Sequence, residues 1–520
     1  MTPGPIDTAA DLQGRAARGA WWTLVHLLVS LPLSFVVNLV VARHLGAADF
    51  GRLATLSLAV DITNAVVSLG VGGALVQFGA KAHSAGRRDE VRALLSGAQG
   101  YQLLVQLPLV LVVVLLLARA AGAPSTLVGW MIVFGVICPA ATSAAAGCFG
   151  IENRGDLGAR LALAGSVVAG ATSLVVLALD GTMVVLWATR LCVAGVLPAA
   201  ALWLVAPDYR RAVLRPRLPR LPREFWRFAL PTGLAGLLGM AVSSRIEVFA
   251  LSWWSMAEAA GIYALAFGLV AHVFAPAQAL TGPLQPAVAA LREVSGERAR
   301  AAFQRTIRAT SVVAGLLVAG VVPPLACLIP VLYGDAYAAA TPILVALGVT
   351  GGVVVLNGPL VVFAQSRLAG RLVLIATALA LAADLVLAVV LVPRWSTWGA
   401  VAATTAGVLV QCAVVAAAER AEFGLSRWAV ARLVAPLVFA APMAVLAVWV
   451  SLAVSHAVVG ACLSALVGAM GWAAAVRTAR VGLSGADVRA MVDALPTRLR
   501  RTAGWCLARL TSPEQTAPQP

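Results

Sequence analysis

The sequence predicts an all-α protein that crosses a membrane about fourteen times, and two observations carry this prediction. Of the 520 residues, 61% are hydrophobic and only 12% are charged, whereas about a quarter of the residues of a soluble domain are charged. Long apolar runs also recur along nearly the whole chain, and about 20 apolar residues span the hydrocarbon core of a bilayer. Together these features exclude a soluble globular protein.

Proline, glycine and charged residues divide the apolar sequence into fourteen predicted spans. Their rounded limits are 20–42, 53–78, 94–118, 126–149, 161–179, 182–206, 228–251, 261–282, 309–331, 338–363, 372–392, 398–418, 433–454 and 457–476. The first apolar run is longer than that of a signal peptide, so we expect the first helix to remain as an anchor.

The positions of the basic residues predict the orientation. If residues 1–19 are cytoplasmic, the segments on that side hold 32 of the 38 lysine and arginine residues. Cytoplasmic loops carry such an excess, so both ends of the chain are predicted to lie inside. The same bias explains most of the net charge of +16, and a nucleic-acid partner is not needed.

The spans are predicted to form two pseudo-symmetric six-helix lobes, 20–206 and 228–418, joined by the basic linker 207–227. The prolines of the linker oppose helix formation, and its arginines are expected to face anionic head groups. Two further helices follow within 433–476. The basic cytoplasmic tail, 477–520, is expected to form an amphipathic surface helix that begins near Ser484.

Several kinds of chemistry are absent from the sequence. The seven cysteines are scattered without CxxC or Cys/His clusters, so neither a disulfide framework nor a metal site is predicted. No GxxxxGK[ST] motif is present, and ATP hydrolysis and bound cofactors are therefore not expected. The longest outside segment has only about ten residues, which argues against a polymerase or glycosyltransferase; the chain is not expected to be an enzyme.

Several stretches resemble a known family of transporters. They are "RGAWWTLVHLLVSLPLSFVVNLVVARHLGAADFGRLATLSLAVDI", "EAAGIYALAFGLV", "PLQPAVAAL", "IPVLYGDAYAAATPILVALG" and "VPRWSTWGAVAATTAGVLVQ". In this order and topology they are similar to the bacterial polysaccharide or lipid-linked-oligosaccharide flippases. These belong to the multidrug/oligosaccharidyl-lipid/polysaccharide exporter superfamily. The resemblance covers roughly residues 15–420.

The chain departs from the family pattern at two places. Many members carry one acidic residue in the first helix of the second lobe, where this chain has Arg245 and Glu247 two positions apart. Many members also end after twelve helices, whereas the related lipid II flippases have fourteen. In that branch the resemblance implies that the last two helices help to hold a lipid tail.

The resemblance implies a function and its partners. We expect a flippase that moves a polyprenyl-pyrophosphate-linked oligosaccharide across the bacterial cytoplasmic membrane by alternating access. A polysaccharide polymerase and chain-length machinery are the further partners it implies. Two alternatives stay open: a lipid II-type flippase, and an ion-coupled drug or cation antiporter that shares the same fold.

Such a substrate requires cations for its pyrophosphate, and its movement requires a group that titrates or binds an ion. An ionisable residue at the bilayer centre costs about 2.5–3.5 kcal/mol, so each one is by default a functional hypothesis. Arg245 is the first candidate for the pyrophosphate. The other candidate cations are Arg43, Arg52 and Arg190, and the candidates for ion coupling or a polar cavity are Asp61, Glu247, Asp384, Asn64 and Asn38.

Structural interpretations compete with each of these roles. The arginines can extend to lipid head groups, and Arg190 can form an ion pair with Asp384. Gln99, Gln102 and Gln106 lie near one face of the third span. They suit sugar contacts, but hydrogen bonds between helices explain them equally.

Overall fold

The structure is a computed structural model that describes residues 9–217, 221–243, 246–279, 295–367, 369–454 and 456–483. It also describes the single positions 281, 284, 288, 291, 292 and 485. Helices make up almost all of the described chain, which confirms the predicted all-α class. Two predictions, the role of Arg245 and the surface helix of the tail, lie outside the described residues.

By contacts the chain divides into two units, residues 1–244 and 245–520. The helices of the first unit are α1 (Ala9–Ser68), α2 (Val71–Ser84), α3 (Arg88–Ala120), α4 (Ser125–Ile151), α5 (Gly155–Ala178), α6 (Met183–Leu204), α7 (Pro207–Leu214) and α8 (Arg223–Ser243). The helices of the second unit are α9 (Ile246–Trp253), α10 (Ala257–Ala279), α11 (Gly296–Tyr333), α12 (Ala340–Ser366), α13 (Gly370–Trp395), α14 (Thr397–Glu422), α15 (Arg427–Leu452) and α16 (Ala457–Thr478).

Twelve helices of the described chain are long and apolar enough to cross a membrane. The first of them, residues 21–68 of α1, contains most of two predicted spans. Gly46 breaks this helix between them, with φ 72° and ψ 172°, and side chains rarely adopt a positive φ. The predicted span 228–251 coincides with α8 and α9. Positions 244 and 245, between these helices, are not among the described residues. The total of fourteen crossings stays a prediction.

The predicted limits of the second span, 53–78, are wrong. Helix α1 ends at Ser68, and Leu69 and Gly70 turn the chain with φ 45° and 73° before α2 begins. A Cβ atom on Gly70 would lie 2.3 Å from the carbonyl oxygen of Ala229 in α8. The backbone of this turn therefore packs directly against α8, a contact between distant segments that hydropathy does not report.

The linker 207–227 is also more ordered than its prolines predict. Its first residues form α7, and proline is favoured at the first position of a helix because its missing N–H is not needed there. Tyr209 and Val213 of α7 are buried, and the hydroxyl of Ser96 in α3 donates to the carbonyl oxygen of Arg215 at 2.7 Å. The linker thus packs along the first unit.

Three helices widen into π-helical turns, each two residues before a proline. The turns are Gln102–Gln106, Met131–Ile137 and Leu317–Val321, and the prolines are Pro108, Pro139 and Pro323. Proline donates no hydrogen bond and its ring clashes with the carbonyl four residues earlier, which here lies inside the widened turn. The widening relieves that clash without breaking the helix.

Helices α15 and α16, predicted from residues 433–476, pack against each other and against α11 within the second unit. Trp472 is fully buried, and its Nε1 donates to the carbonyl oxygen of Pro436 at 2.7 Å. A Cβ atom on Gly468 would lie only 1.9 Å from the carbonyl oxygen of Ala319 in α11. Close helix contacts of this kind hold membrane proteins together.

Candidate functional site

Two carboxylates that the sequence places far apart meet inside the second unit. Helix α9 packs against α10, α13 and α14, and it brings Glu247 close enough to Asp384 of α13 for the two carboxyl groups to interact electrostatically. Glu247 is 1% exposed and Asp384 is 4% exposed. We refer to Glu247 and Asp384 as the carboxylate pair.

The close approach of α13 and α14 shapes the site at Gly407. A Cβ atom at this position would lie 3.0 Å from the Cβ of Asp384 and 3.0 Å from the carbonyl oxygen of Ala380. Because glycine has no side chain, α14 can pack directly over the carboxylate of Asp384 and exclude lipid from it.

Two hydroxyl groups lie in a row beside Glu247 of the carboxylate pair. The hydroxyl of Tyr263 lies 2.6 Å from Oγ1 of Thr404, and Thr404 donates to Oε1 of Glu247. A threonine hydroxyl has one proton to donate, so Tyr263 must be the donor to Thr404 when Thr404 donates to Glu247. Oγ1 of Thr404 also lies 3.0 Å from the carbonyl oxygen of Ala400, which is a second acceptor for the same proton. Tyr263, Thr404 and Glu247 thus form a continuous row of hydrogen-bonding groups.

The carboxylate pair has more hydrogen-bond acceptors than the surrounding groups have donors for them. Oε2 of Glu247 and Oδ1 of Asp384 are buried without a hydrogen-bond partner, and no arginine, lysine or histidine of the described chain forms an ion pair with either residue. Two neighbouring carboxylates in a low-dielectric site cannot both stay ionised and uncompensated. The geometry therefore suits the uptake of a proton or of a small cation that prefers oxygen ligands.

The first unit holds a second group of predicted residues. Nε2 of Gln106 in α3 lies 3.4 Å from Oδ1 of Asn64 in α1. Gln102 accepts a hydrogen bond from Ser143 of α4. Asp61, one turn before Asn64 on α1, is exposed at the protein surface. Gln102 and Gln106 belong to the π-helical turn of α3, and Asn64 lies beside it.

Arg190 lies in the same unit but at a different place. It is half-buried on α6, and its Nε donates to the hydroxyl of Ser173 on α5 at 3.2 Å. Within the described ranges no acidic side chain forms an ion pair with it. The guanidinium therefore lies in a membrane-spanning helix without an ion-pair partner among the described residues.

The remaining candidates lie along α1, on both sides of Gly46. Arg43 and Arg52 are exposed, and Nη1 of Arg52 lies 3.1 Å from Oδ1 of Asp49. Exposed ion pairs of this kind contribute about 0–1 kcal/mol. Asn38 is half-buried one turn and a half before Arg43.

Sequence reasoning missed most of the hydroxyl and amide groups of the second unit. Thr404 and Gln411 lie in "VAATTAGVLVQ", and Asn357 lies in the middle of α12. The seven-residue spacing of Thr404 and Gln411 on α14 and the amide of Asn357 within an apolar span are signals that the sequence contains. Neither threonine nor glutamine is charged, so they did not stand out among the ionisable residues.

Solved structures of transporters share this fold. The chain is similar to a multidrug resistance MATE family transporter of the MOP superfamily in an inward-facing conformation. The TM-score is 0.60 at 15% identity, over 77% of this chain and 98% of that one. It is also similar to the lipid II flippase MurJ, with a TM-score of 0.61 at 10% identity over 88% and 99% of the two chains. A MATE transporter of Vibrio cholerae matches with a TM-score of 0.51 at 16% identity, over 81% and 99%.

The sequence comparisons identify the family. No curated protein matches the chain. The family of polysaccharide biosynthesis proteins matches residues 16–286, which is more than half of the chain and includes residues 16–244 of the first unit. Because of this match, the multi-pass membrane protein belongs to the family of polysaccharide biosynthesis proteins.

Proposed function

We propose that the chain moves a polyprenyl-pyrophosphate-linked oligosaccharide from the inner to the outer leaflet of the bacterial cytoplasmic membrane by alternating access. The product would supply the synthesis of an exopolysaccharide or a surface polysaccharide. The observation that carries the proposal is the family match to polysaccharide biosynthesis proteins in a chain with a transporter fold. A saccharide made inside the cell needs such a protein to cross the membrane.

Arg190 is the described residue that best suits the pyrophosphate. Its Nε is bonded to Ser173, which leaves the four N–H groups of its two Nη atoms for a ligand. A guanidinium binds phosphate oxygens in a bidentate manner. Arg245, Arg43 and Arg52 complete the proposed set of cations.

The carboxylate pair is the proposed coupling site. When a proton or a small cation binds, the charge of Glu247 and Asp384 is compensated and the oxygens without partners gain one. When it leaves, like charges repel across α9 and α13. Binding therefore favours a different packing of these helices from release, and such a difference is what couples an ion gradient to transport.

A deletion strain tests the substrate and Arg190 together. Polyprenyl-linked saccharides are extracted from the strain and their leaflet is determined, after complementation with the wild type, Arg190→Ala or Arg190→Lys. We expect the intermediate to accumulate on the cytoplasmic side in the deletion strain and with Arg190→Ala. The lysine variant keeps the charge and should restore part of the export.

Two other outcomes would replace the proposal. Accumulation of a peptidoglycan precursor would indicate a lipid II-type flippase, the activity named for the MurJ structure. Normal saccharide export with increased sensitivity to cationic drugs would indicate an antiporter, as named for the multidrug resistance transporter. If the flippase is correct, a polysaccharide polymerase and chain-length machinery would act on its product.

A further inference from the structure

Polar side chains continue from the carboxylate pair along helix α14 of the second unit. Next to Thr404, the hydroxyl of Thr405 lies 2.7 Å from that of Thr350 on α12. Gln411 follows about 10 Å further along the helix, at about 1.5 Å per residue. Glu419 lies about 12 Å beyond Gln411 by the same measure. Each of these positions is in a helix with an apolar stretch long enough to cross a membrane.

Gln411 links three helices at the middle of this row. Its Oε1 accepts a hydrogen bond from Nδ2 of Asn357 on α12 at 2.9 Å. Its Nε2 donates to the hydroxyl of Thr377 on α13 at 2.9 Å. Thr377 precedes Asp384 by seven residues, and it therefore lies on nearly the same face of α13. We call the row of polar residues from the carboxylate pair to Glu419 the polar seam; its further members are Thr350, Asn357, Thr377, Thr404, Thr405 and Gln411.

The end of the polar seam is an ionic cluster of Arg292, Arg367, Glu419 and Glu422. Nε of Arg367 donates to Oε1 of Glu419 at 2.8 Å, and Nη1 of Arg292 lies 3.3 Å from Oε1 of Glu422. The side chain of Glu419 is 0% exposed and that of Glu422 is 39% exposed. The cluster therefore extends from the buried seam to the protein surface at the ends of α12 and α14.

Buried polar atoms without partners concentrate on this row. Among the described residues, seven buried side-chain nitrogen or oxygen atoms have no hydrogen-bond partner. Six of them belong to the carboxylate pair, the polar seam and the ionic cluster: Oε2 of Glu247, Oδ1 of Asp384, Oδ1 of Asn357, Oε2 of Glu419, and Nε and Nη2 of Arg292. Two of the six, Nη2 of Arg292 and Oε2 of Glu419, lie 3.6 Å apart and form an ion pair. The exposed fractions of Glu247, Asp384, Asn357 and Glu419 are all below a tenth.

Such atoms are costly in a membrane-spanning bundle. A polar group that is buried without a hydrogen-bond partner is strongly unfavourable in lipid, and natural proteins satisfy such groups with ordered water or ions. Four of these atoms have no ion-pair partner either: Oε2 of Glu247, Oδ1 of Asp384, Oδ1 of Asn357 and Nε of Arg292. Because they follow one row between helices that already share hydrogen bonds, they indicate a hydrated path and not separate packing defects.

We propose that the polar seam is a hydrated path along which a small cation, a proton or a sodium ion, passes between the ionic cluster and the carboxylate pair. The ionic cluster acts as its gate, because Arg292 and Arg367 must move from Glu419 before a cation can reach that carboxylate. The proposal rests on the coupling role of the carboxylate pair. It adds the route by which the ion reaches the pair.

The test blocks the path without changing the carboxylates. Asn357→Leu and Gln411→Leu replace an amide on each of two helices by an apolar group of similar size. Gln411→Asn keeps the amide and leaves room for water. Gln278→Leu is the matched control, since Gln278 lies on α10 with an exposed side chain. The full-length protein is reconstituted in liposomes for every variant.

The carbonyl infrared band of the carboxyl groups gives two readouts. Its change at equilibrium, in titrations with protons or with sodium, reports the binding of the ion to the carboxylate pair. The rate at which the band changes after a rapid jump in pH or sodium concentration reports how fast the ion reaches the pair. We expect both leucine variants to reach the wild-type extent about tenfold or more slowly, as a raised barrier predicts, and Gln411→Asn and Gln278→Leu to match the wild type.

Wild-type rates in both leucine variants would overturn the path and leave the flippase proposal intact. A wild-type protein whose carboxyl band responds to neither ion would overturn the coupling role of the pair and the path with it, whether or not flipping is observed. A response to sodium but not to protons, or the reverse, identifies the ion that uses the path.

Discussion

At the scale of single residues, the energetically unfavourable buried polar atoms of the second unit belong to a few side chains. Glu247 and Asp384 were both predicted as functional candidates because each interrupts an apolar span. Their meeting was not predictable, since it depends on how α9 packs against α13. Thr404 escaped notice because its hydroxyl becomes important only when a carboxylate lies beside it. Sequence thus shows which charges are costly, and packing shows which of them share a site.

Asp384→Asn separates stability from coupling. The amide keeps the shape of the side chain and removes the repulsion between like charges, so we expect the midpoint of thermal unfolding to stay the same or to rise. Ion-driven transport should fall about a hundredfold, because the pair loses one of its two titratable groups. Unfolding in detergent and transport in liposomes measure the two effects. A lower unfolding midpoint together with normal transport would contradict the coupling role.

Thr404→Val tests the hydrogen-bond chain of Tyr263, Thr404 and Glu247. Valine has the same shape but cannot donate, so Oε1 of Glu247 and the hydroxyl of Tyr263 both lose a partner. We expect a destabilisation of about 1–3 kcal/mol, measured by denaturant unfolding in detergent. Thr172→Val on α5 removes only bonds to carbonyl oxygens of its own helix, and it should change stability by less than about 0.5 kcal/mol. Equal effects in the two variants would refute the chain.

At the scale of helices, the sequence predicts which helices exist better than it predicts where each one begins and ends. Twelve candidate spans and the helices α8 and α9 coincide with predicted apolar runs. The turn at Leu69 and Gly70 and the helix α7 were not predicted. Both depend on contacts with distant segments, α8 and α3, and a local hydropathy pattern carries no information about such contacts. The π-helical turns follow from the prolines by a simple steric rule, once the rule is applied to the residue four positions earlier.

Gly468→Ala tests the packing of the last two helices. The added methyl group would meet the carbonyl oxygen of Ala319, whose position is fixed by α11, so α16 must move away. We expect a loss of about 1–3 kcal/mol in the free energy of unfolding. Gly73→Ala on α2 is the control, because no atom lies within 4 Å of its added Cβ and alanine favours helix by up to about 1 kcal/mol. Unfolding curves in detergent compare the two; an unchanged stability for Gly468→Ala would show that the helices adjust freely.

At the scale of the whole molecule, the membrane class and the family follow from composition, charge asymmetry and a handful of motifs. The carboxylate pair, the polar seam and the ionic cluster all lie in the second unit, whereas Arg190 and the amides around Asn64 lie in the first. We propose that this separation divides the work. The second unit responds to the ion and the first contributes cations and amides to the substrate.

The most direct test of the central claim is transport by the purified protein. The protein is reconstituted in liposomes with a labelled polyprenyl-pyrophosphate-linked oligosaccharide, and the labelled saccharide on the outer surface is removed at intervals by an impermeant enzyme. We predict that the protected fraction falls with time in liposomes that contain the wild type, and far more slowly with Arg190→Ala. A protected fraction that stays the same with and without the protein, under proton and sodium gradients of either direction, would contradict the claim that the chain is a flippase for this substrate.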